Sequence, residues 1–313
     1  MSTLLDEPPP QQTSHANQLR SQMAAMRLSF TWFGTRKALS GEQKTQAANT
    51  FHAESKFLSA GKKLIDTSDP SFRAVTSVKT QATTYFKGIS LPYPEPGIRL
   101  VPQNALGDID DKMRGFTEEL DAAVAELDSR FHELKHEARQ RLGDLYNDAD
   151  YPASLEGLFE IAWDFPSVEP PEYLRRLNPE LYRAECDRVR ARFDEAVALA
   201  ESAFIEELNK LVEHLSERLS GADDGKPKVF RNSAIENFTE FFERFGELNI
   251  HSSEQLDEVV AQARSLIGGV EPQQLRDSDA LRQQIARGLN SVQSSLDGLM
   301  VDRPRRNILR RAK

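Results

Sequence analysis

The sequence predicts a mainly α protein with a small β-sheet: a long antiparallel coiled-coil helical hairpin joined to a small C-terminal helical module. The first observation is a pair of apolar seams at helical spacing, over about residues 109–145 and 179–219. The second is a run of shorter, well-capped helical segments after residue 229, and the third is a few short alternating segments typical of strands. With 39% hydrophobic and 28% charged residues, the chain can build a sizeable core.

The N-terminal part is predicted to be a tail followed by a small α+β module. Residues 1–22 are polar and contain three consecutive prolines, which favours a disordered tail. In the module, residues 23–102, the alternation of Leu28, Phe30 and Trp32 with polar residues predicts a half-buried strand. The expected elements are a strand over 26–33, helices over about 41–60 and 70–87, and an edge strand over 98–101.

The central part, residues 103–220, predicts the hairpin. The first long helix places an apolar residue at every third or fourth position from Ile109 to Leu145. Asn178 is a good N-cap for the second long helix. Each of the two helices is too long for a compact globule and has one narrow apolar seam. Two narrow seams are most economically buried against each other, in an antiparallel coiled coil. A strand near 161–165 would lie between the two helices and could pair with the strand over 98–101.

The C-terminal part predicts a linker, a module and a tail. Residues 221–228 are rich in Gly, Asp and Lys and are typical of a linker. In the module, residues 229–301, Ser233 with Glu236 forms a capping-box pattern at the start of one helix. Its helices are expected over 234–248, 253–267 and about 278–300, and residues 302–313 form a basic tail.

Charge is unevenly distributed along the chain. Residues 1–100 hold 12 Lys or Arg and 7 Asp or Glu, a net of +5; residues 101–302 hold 22 and 42, a net of −20; residues 303–313 hold 6 and 0, a net of +6. The acidic middle is typical of long solvated helices. The basic ends could instead meet an anionic partner while the middle stays clear of it.

Two groups of basic residues are the candidate partner- or anion-binding sites. One comprises the pairs Arg36-Lys37 and Lys62-Lys63, which the sequence alone does not bring together. The second pair could equally compensate a helix dipole at a predicted helix end. The other group is the set of C-terminal arginines, Arg303, Arg305, Arg306, Arg310 and Arg311.

The motif His132-Glu133-Leu134-Lys135-His136 matches the HExxH pattern of zinc proteases. Its histidines fall on the outer face of the predicted helix, and Lys135 adds a cation inside the motif. Glu156 or Glu160 could be a third ligand on spacing alone. We therefore interpret the motif as a solvated helix face and predict no metal. Because no nucleotide-binding or serine-hydrolase motif occurs, we expect no enzyme activity and no cofactor.

Other features bear on the compartment. No apolar run approaches the roughly 20 residues that cross a bilayer, so no membrane association is expected. The first residues lack the pattern of a secretory signal, and the single cysteine, Cys186, cannot form an internal disulfide. These observations predict a cytoplasmic protein.

Several segments taken together resemble a known family. They are the strand end Trp32-Phe33-Gly34-Thr35-Arg36-Lys37, the segment Gly61-Lys62-Lys63-Leu64-Ile65-Asp66, a proline-rich strand over 91–101, and two long helices with a Trp-containing strand between them. Over residues 26–220 the chain resembles a family of uncharacterised bacterial and phage helical proteins, encoded beside MoxR-type AAA+ ATPases and von Willebrand A-domain proteins. The resemblance implies a non-enzymatic companion of an ATPase module. It implies no catalytic residues.

The preferred functional hypothesis is therefore a non-enzymatic scaffold or adaptor, with a protein partner such as an AAA+ ATPase or a second copy of the chain. The alternative is a nucleic-acid-associated phage or mobile-element protein that binds through the basic N-terminal clusters and the C-terminal arginines. Such a protein would bind DNA in a salt-sensitive way. A zinc hydrolase built on the HExxH motif is a third, minor hypothesis.

Overall fold

The computed structural model describes residues 14–219 and 232–301, and within them it confirms a mainly α fold with a small β-sheet. The described helices are α1 His15–Gln22, α2 Gly41–Thr50, α3 Pro70–Gly88, α4 Leu106–Ser129, α5 Phe131–Leu142, α6 Leu174–Leu177, α7 Pro179–Leu219, α8 Ser233–Leu248, α9 Glu254–Ile267, α10 Pro272–Asp277 and α11 Asp279–Val301. The described strands are β1 Met23–Thr31, β2 Arg36–Ala38, β3 Gly61–Lys63, β4 Leu91–Pro92, β5 Ile98–Pro102 and β6 Glu160–Asp164.

The strands form a four-stranded sheet, in the order β4-β5-β1-β6, and a separate two-stranded ribbon of β2 and β3. β1 is antiparallel to β6, with Leu28 opposite Trp163, so the strand near 161–165 pairs with β1 and not with the strand over 98–101. The predicted edge strand is also wrong, since β5 lies inside the sheet and the edge position belongs to the shorter β4. That edge strand contains a proline, which lacks the N–H that a central strand must donate.

The chain divides into two compact units that alternate along the sequence. Of the described residues, the first unit comprises 14–25, 89–103, 166–219 and 232–301, and the second comprises 26–88 and 104–165.

In the first unit, α7 is the central helix and packs against α11, α1 and α8. Its apolar stripe is buried from Val189 to Leu219. On α8, four phenylalanines lie within eight residues and are all buried in the same core. The rings of Phe204 on α7 and Phe245 on α8 meet edge to face at 5.0 Å between centroids. Such aromatic pairs add to the stabilisation that comes from burying their area.

In the second unit, α3 packs along α4, and both bury one apolar stripe. The ring of Tyr85 on α3 lies 5.8 Å from that of Phe116 on α4. The indole Nε1 of Trp163 on β6 donates a hydrogen bond of 2.9 Å to the carboxylate of Asp110, which fixes this strand against α4.

The predicted coiled-coil hairpin is not confirmed. α4 and α7 belong to different units, and each finds its packing partners within its own unit: α3 for α4, and α11, α1 and α8 for α7. The first long helix is also interrupted at Arg130, between α4 and α5, where the carboxylate of Asp128 accepts hydrogen bonds from the backbone N–H of Leu155 and the hydroxyl of Ser154. A narrow apolar seam can pack against any helix that offers a matching one, so its period does not specify the partner.

Two predicted boundaries also change. Residues 14–22, expected in a disordered tail, contain α1, because Ala16, Leu19 and Met23 recur at helical spacing and are buried against α7. The helices over 233–301 lie close to their predicted positions but share one core with α7 and α1, so they are not a separate module. The linker predicted over 221–228, the tail over 302–313 and residues 1–13 lie outside the described residues.

Candidate functional site

The two basic N-terminal clusters are brought together in the ribbon of β2 and β3. The strands are antiparallel, with Arg36 opposite Lys63 and Lys37 opposite Lys62. Backbone hydrogen bonds from Leu64 to Thr35 (2.8 Å) and from Leu39 to Ala60 (3.1 Å) extend the pairing at both ends. Successive side chains of a strand point to opposite faces, so the two pairs lie on opposite faces of the ribbon. Lys62 and Lys63 belong to a strand and not to the predicted helix end, so they do not compensate a helix dipole.

The inner pair of lysines is held by one aspartate. The Nζ atoms of Lys37 and Lys62 each lie 2.6 Å from a different carboxylate oxygen of Asp150, and Lys62 also donates to the carbonyl oxygen of Leu145 at 2.5 Å. The side chains of Lys62 and Asp150 are each only 5% exposed. Hydrogen bonds from the two lysines hold the pKa of Asp150 below its ordinary value. Lys62 therefore ties the ribbon to the turn over 143–150 and is not available to an external anion.

The outer pair is available. Arg36 and Lys63 are exposed, and neither forms an ion pair with any residue that the structure describes. Two like charges directly opposite on neighbouring strands repel each other. An anionic group placed between them would relieve this repulsion, so the face of the ribbon that carries Arg36 and Lys63 favours an acidic ligand.

The long connection between β2 and β3 contains almost no buried residue. Of residues 39–60, which comprise α2 and a 3-10 turn over Ser55–Phe57, only Ala48 is buried. Phe51 is 77% exposed and Phe57 is 81% exposed. We call residues 36–63 the β2–β3 segment; it contains six Lys or Arg and two Asp or Glu, a net of +4. It combines exposed aromatic rings with excess positive charge.

The sequence predicted a single helix over about 41–60, and this is wrong. α2 ends at Thr50, and His52 follows in the left-handed region at φ 52°. The capping box of Ser40 and Gln43 starts the helix as the sequence suggests. However, α2 contains no apolar residue larger than alanine, so it has no stripe with which to pack against a core. That composition was the signal in the sequence for the exposure of this segment.

The HExxH residues lie on the surface of α5. His132 and His136 are both exposed, and the Nε2 atom of His136 lies 3.0 Å from the side-chain amide of Gln140. Glu133 forms an ion pair with Arg130 at 3.7 Å. Across residues 14–219 and 232–301, no three His, Cys, Asp or Glu side chains are grouped so that they could hold a metal ion. In the same part of the chain, no helix has the length and apolar composition needed to cross a membrane.

The C-terminal arginines, Arg303, Arg305, Arg306, Arg310 and Arg311, lie outside the described residues. Asp150 was not predicted, and no local pattern could have identified it. It is 88 positions from Lys62 along the chain, and its acid-rich surroundings are typical of an ordinary turn.

The β2–β3 segment is thus the place where the predicted basic residues and the exposed aromatic residues coincide. It carries the two exposed cations of the outer pair, two exposed aromatic rings and a backbone held to its own unit through Asp150. Comparison of the chain with protein families, with curated proteins and with solved structures finds no match.

Proposed function

We infer that this chain is a non-enzymatic scaffold or adaptor protein that docks a protein partner on its β2–β3 segment. The observation that carries the proposal is the exposure of Phe51 and Phe57 within residues 39–60, of which only Ala48 is buried. Leaving two such rings in water forgoes about 1.5–3 kcal/mol for each ring, relative to burying them. A partner that covers both rings would recover much of this free energy.

The charge of the segment indicates the kind of surface that it fits. Arg36, Lys44, Lys56 and Lys63 remain after the two lysines bound to Asp150 are set aside, against only two carboxylates. Electrostatic complementarity speeds association and selects among partners, so the matching surface is acidic with apolar pockets. The family resemblance over residues 26–220 supports an ATPase of the MoxR type as that partner.

The proposal is tested with a purified MoxR-type ATPase. Calorimetry measures the affinity of this ATPase for the wild-type chain and for its F51S/F57S double variant. We expect the double variant to bind at least about tenfold more weakly, a loss of about 1.4 kcal/mol. Phe165→Ser is the matched control, because this ring is also exposed but lies outside the segment. Equal affinity of the double variant and the wild type would refute docking on this segment.

The nucleic-acid hypothesis makes a different prediction for the same surface. Binding to DNA would depend on Arg36 and Lys63 and would weaken steeply as the salt concentration rises. Two cations neutralise few phosphates, and the other two lysines of the ribbon already share Asp150. The two hypotheses, protein docking and nucleic-acid binding, are distinguished by filter binding at low salt. The assay uses single- and double-stranded DNA with the wild type and the R36E/K63E variant. Retention that is lost in the variant would favour the nucleic-acid alternative.

A further inference from the structure

A second exposed apolar surface lies where α6 meets the beginning of α7. Tyr173 is 64% exposed, Leu177 is 77% exposed and Leu181 is 42% exposed. These three large apolar residues lie within nine positions of one another. We call this surface the α6–α7 tip (residues 172–188). Scattered exposed apolar residues are ordinary, but several close together mark a contact surface.

The tip is exposed because the first turns of α7 precede its first buried residue. α7 starts at Pro179, but its first buried residue is Val189. The ten residues 179–188 correspond to about 15 Å of helix with no buried side chain. This part of the helix is nevertheless well formed: Asn178 caps it by accepting from the N–H of Leu181 at 3.0 Å. The hydroxyl of Tyr182 also donates to Glu172 at 3.3 Å, joining α7 to the segment before α6.

The charge of the tip is balanced. Residues 172–188 contain four arginines and four carboxylates, a net of zero in a chain whose net charge is −9. Within them, Glu172 pairs with Arg175 at 3.1 Å, and Glu185 pairs with Arg188. Arg176, Arg183 and Glu180 form no ion pair with the residues that the structure describes, so charges of both signs remain available beside the apolar side chains.

We propose that the α6–α7 tip is a self-association surface, on which a second copy of this chain packs through Tyr173, Leu177 and Leu181. A two-fold contact places the same patch on both sides, so the patch must be complementary to itself. A neutral patch with unpaired charges of both signs meets this condition. The β2–β3 segment, at +4, does not, because two copies of it repel each other. The two surfaces therefore serve different partners.

The experiment is sedimentation equilibrium of the full chain from about 1 μM to about 1 mM, which spans weak to moderate association. We expect the average mass to rise from monomer to dimer across this range for the wild type and to stay at monomer for Leu177→Glu. Met300→Glu is the matched control, because it introduces the same charge at another exposed apolar residue of the same unit and should associate like the wild type. Circular dichroism confirms that the variants remain folded.

Three results would overturn the proposal. The first is a wild-type chain that stays monomeric throughout the concentration range, and the second is a Leu177→Glu variant that associates as the wild type does. The third is association that weakens steeply with salt and is lost in R36E/K63E, which would place the contact between the basic β2–β3 segment and the acidic faces of another copy. Because F51S/F57S should associate normally, the result is independent of the proposed adaptor function.

Discussion

Replacing Asp150 by Asn should destabilise the second unit, because among the described residues Asp150 is the carboxylate that compensates Lys62. The Lys62 ammonium is almost completely buried and would be left with neutral acceptors alone, among them the carbonyl oxygen of Leu145. Removing one partner of a buried ion pair costs about 3–5 kcal/mol. Asn retains the shape and one oxygen acceptor, and Lys37 is half exposed and can return to water. We therefore expect the lower end of this range, about 3 kcal/mol.

The assay is urea denaturation followed by tryptophan fluorescence. The chain has two tryptophans, Trp32 and Trp163, and both lie in the second unit with Asp150, so their emission reports on the unit in question. For an m-value of about 1–3 kcal/mol/M, a loss of about 3 kcal/mol lowers the midpoint by about 1–3 M urea. In hydrogen exchange, the amides of Leu39 and Leu64, which close the two ends of the ribbon, should lose protection.

Asp144→Asn is the control. Asp144 lies in the same turn and is exposed, without an ion pair among the described residues, so its substitution should change stability by less than about 0.5 kcal/mol. If Asp150→Asn unfolds at the same urea concentration as Asp144→Asn, the ion pair between Asp150 and Lys62 does not stabilise the second unit and the prediction is refuted.

The pH dependence follows from the lowered pKa of Asp150. Hydrogen bonds from Lys37 and Lys62 favour the carboxylate, so its folded pKa lies below the unfolded value of about 3.9. The stabilisation is therefore complete above the unfolded pKa and is lost as the pH falls through the lower, folded pKa. The acid-induced loss of stability should be smaller in Asp150→Asn than in the wild type, when each is measured relative to its own stability at neutral pH.

Three further predictions test other parts of the structure. Phe238→Ala, in the core of the first unit, should cost about 3–5 kcal/mol of stability. Its unfolding is followed by circular dichroism at 222 nm, because both tryptophans lie in the second unit. A cost below about 1 kcal/mol would contradict the burial of Phe238. Trp163→Phe should cost about 1 kcal/mol through the lost hydrogen bond to Asp110, and the additional change Asp110→Ala should then cost less than it does in the wild type. Asp66 should titrate with a pKa of about 2, because Ser68 donates both its hydroxyl and its backbone N–H to the carboxylate; carboxyl NMR shifts that midpoint near 4 would show the bonds to be absent.

The helices were the part of the fold that local sequence predicted best. α3, α8 and α9 lie within a residue or two of their expected bounds, and α7 matches them at both ends. The reason is that periodicity and capping are local: Asn178 caps α7 through a hydrogen bond only three residues away. Arg36, Lys37, Lys62 and Lys63 were likewise recognisable as basic clusters.

Partner choice and exposure were decided by tertiary structure alone. The apolar seam of α4 has the same period whether α4 packs against α7 or against α3. Periodicity therefore could not distinguish the predicted hairpin from the observed packing. The pairing of β2 with β3 and the neutralisation of Lys62 by Asp150 join residues far apart in the chain, and no local pattern encodes such contacts. Residue identity therefore determined which side chains could bind a partner, and long-range packing determined which of them remain free to do so.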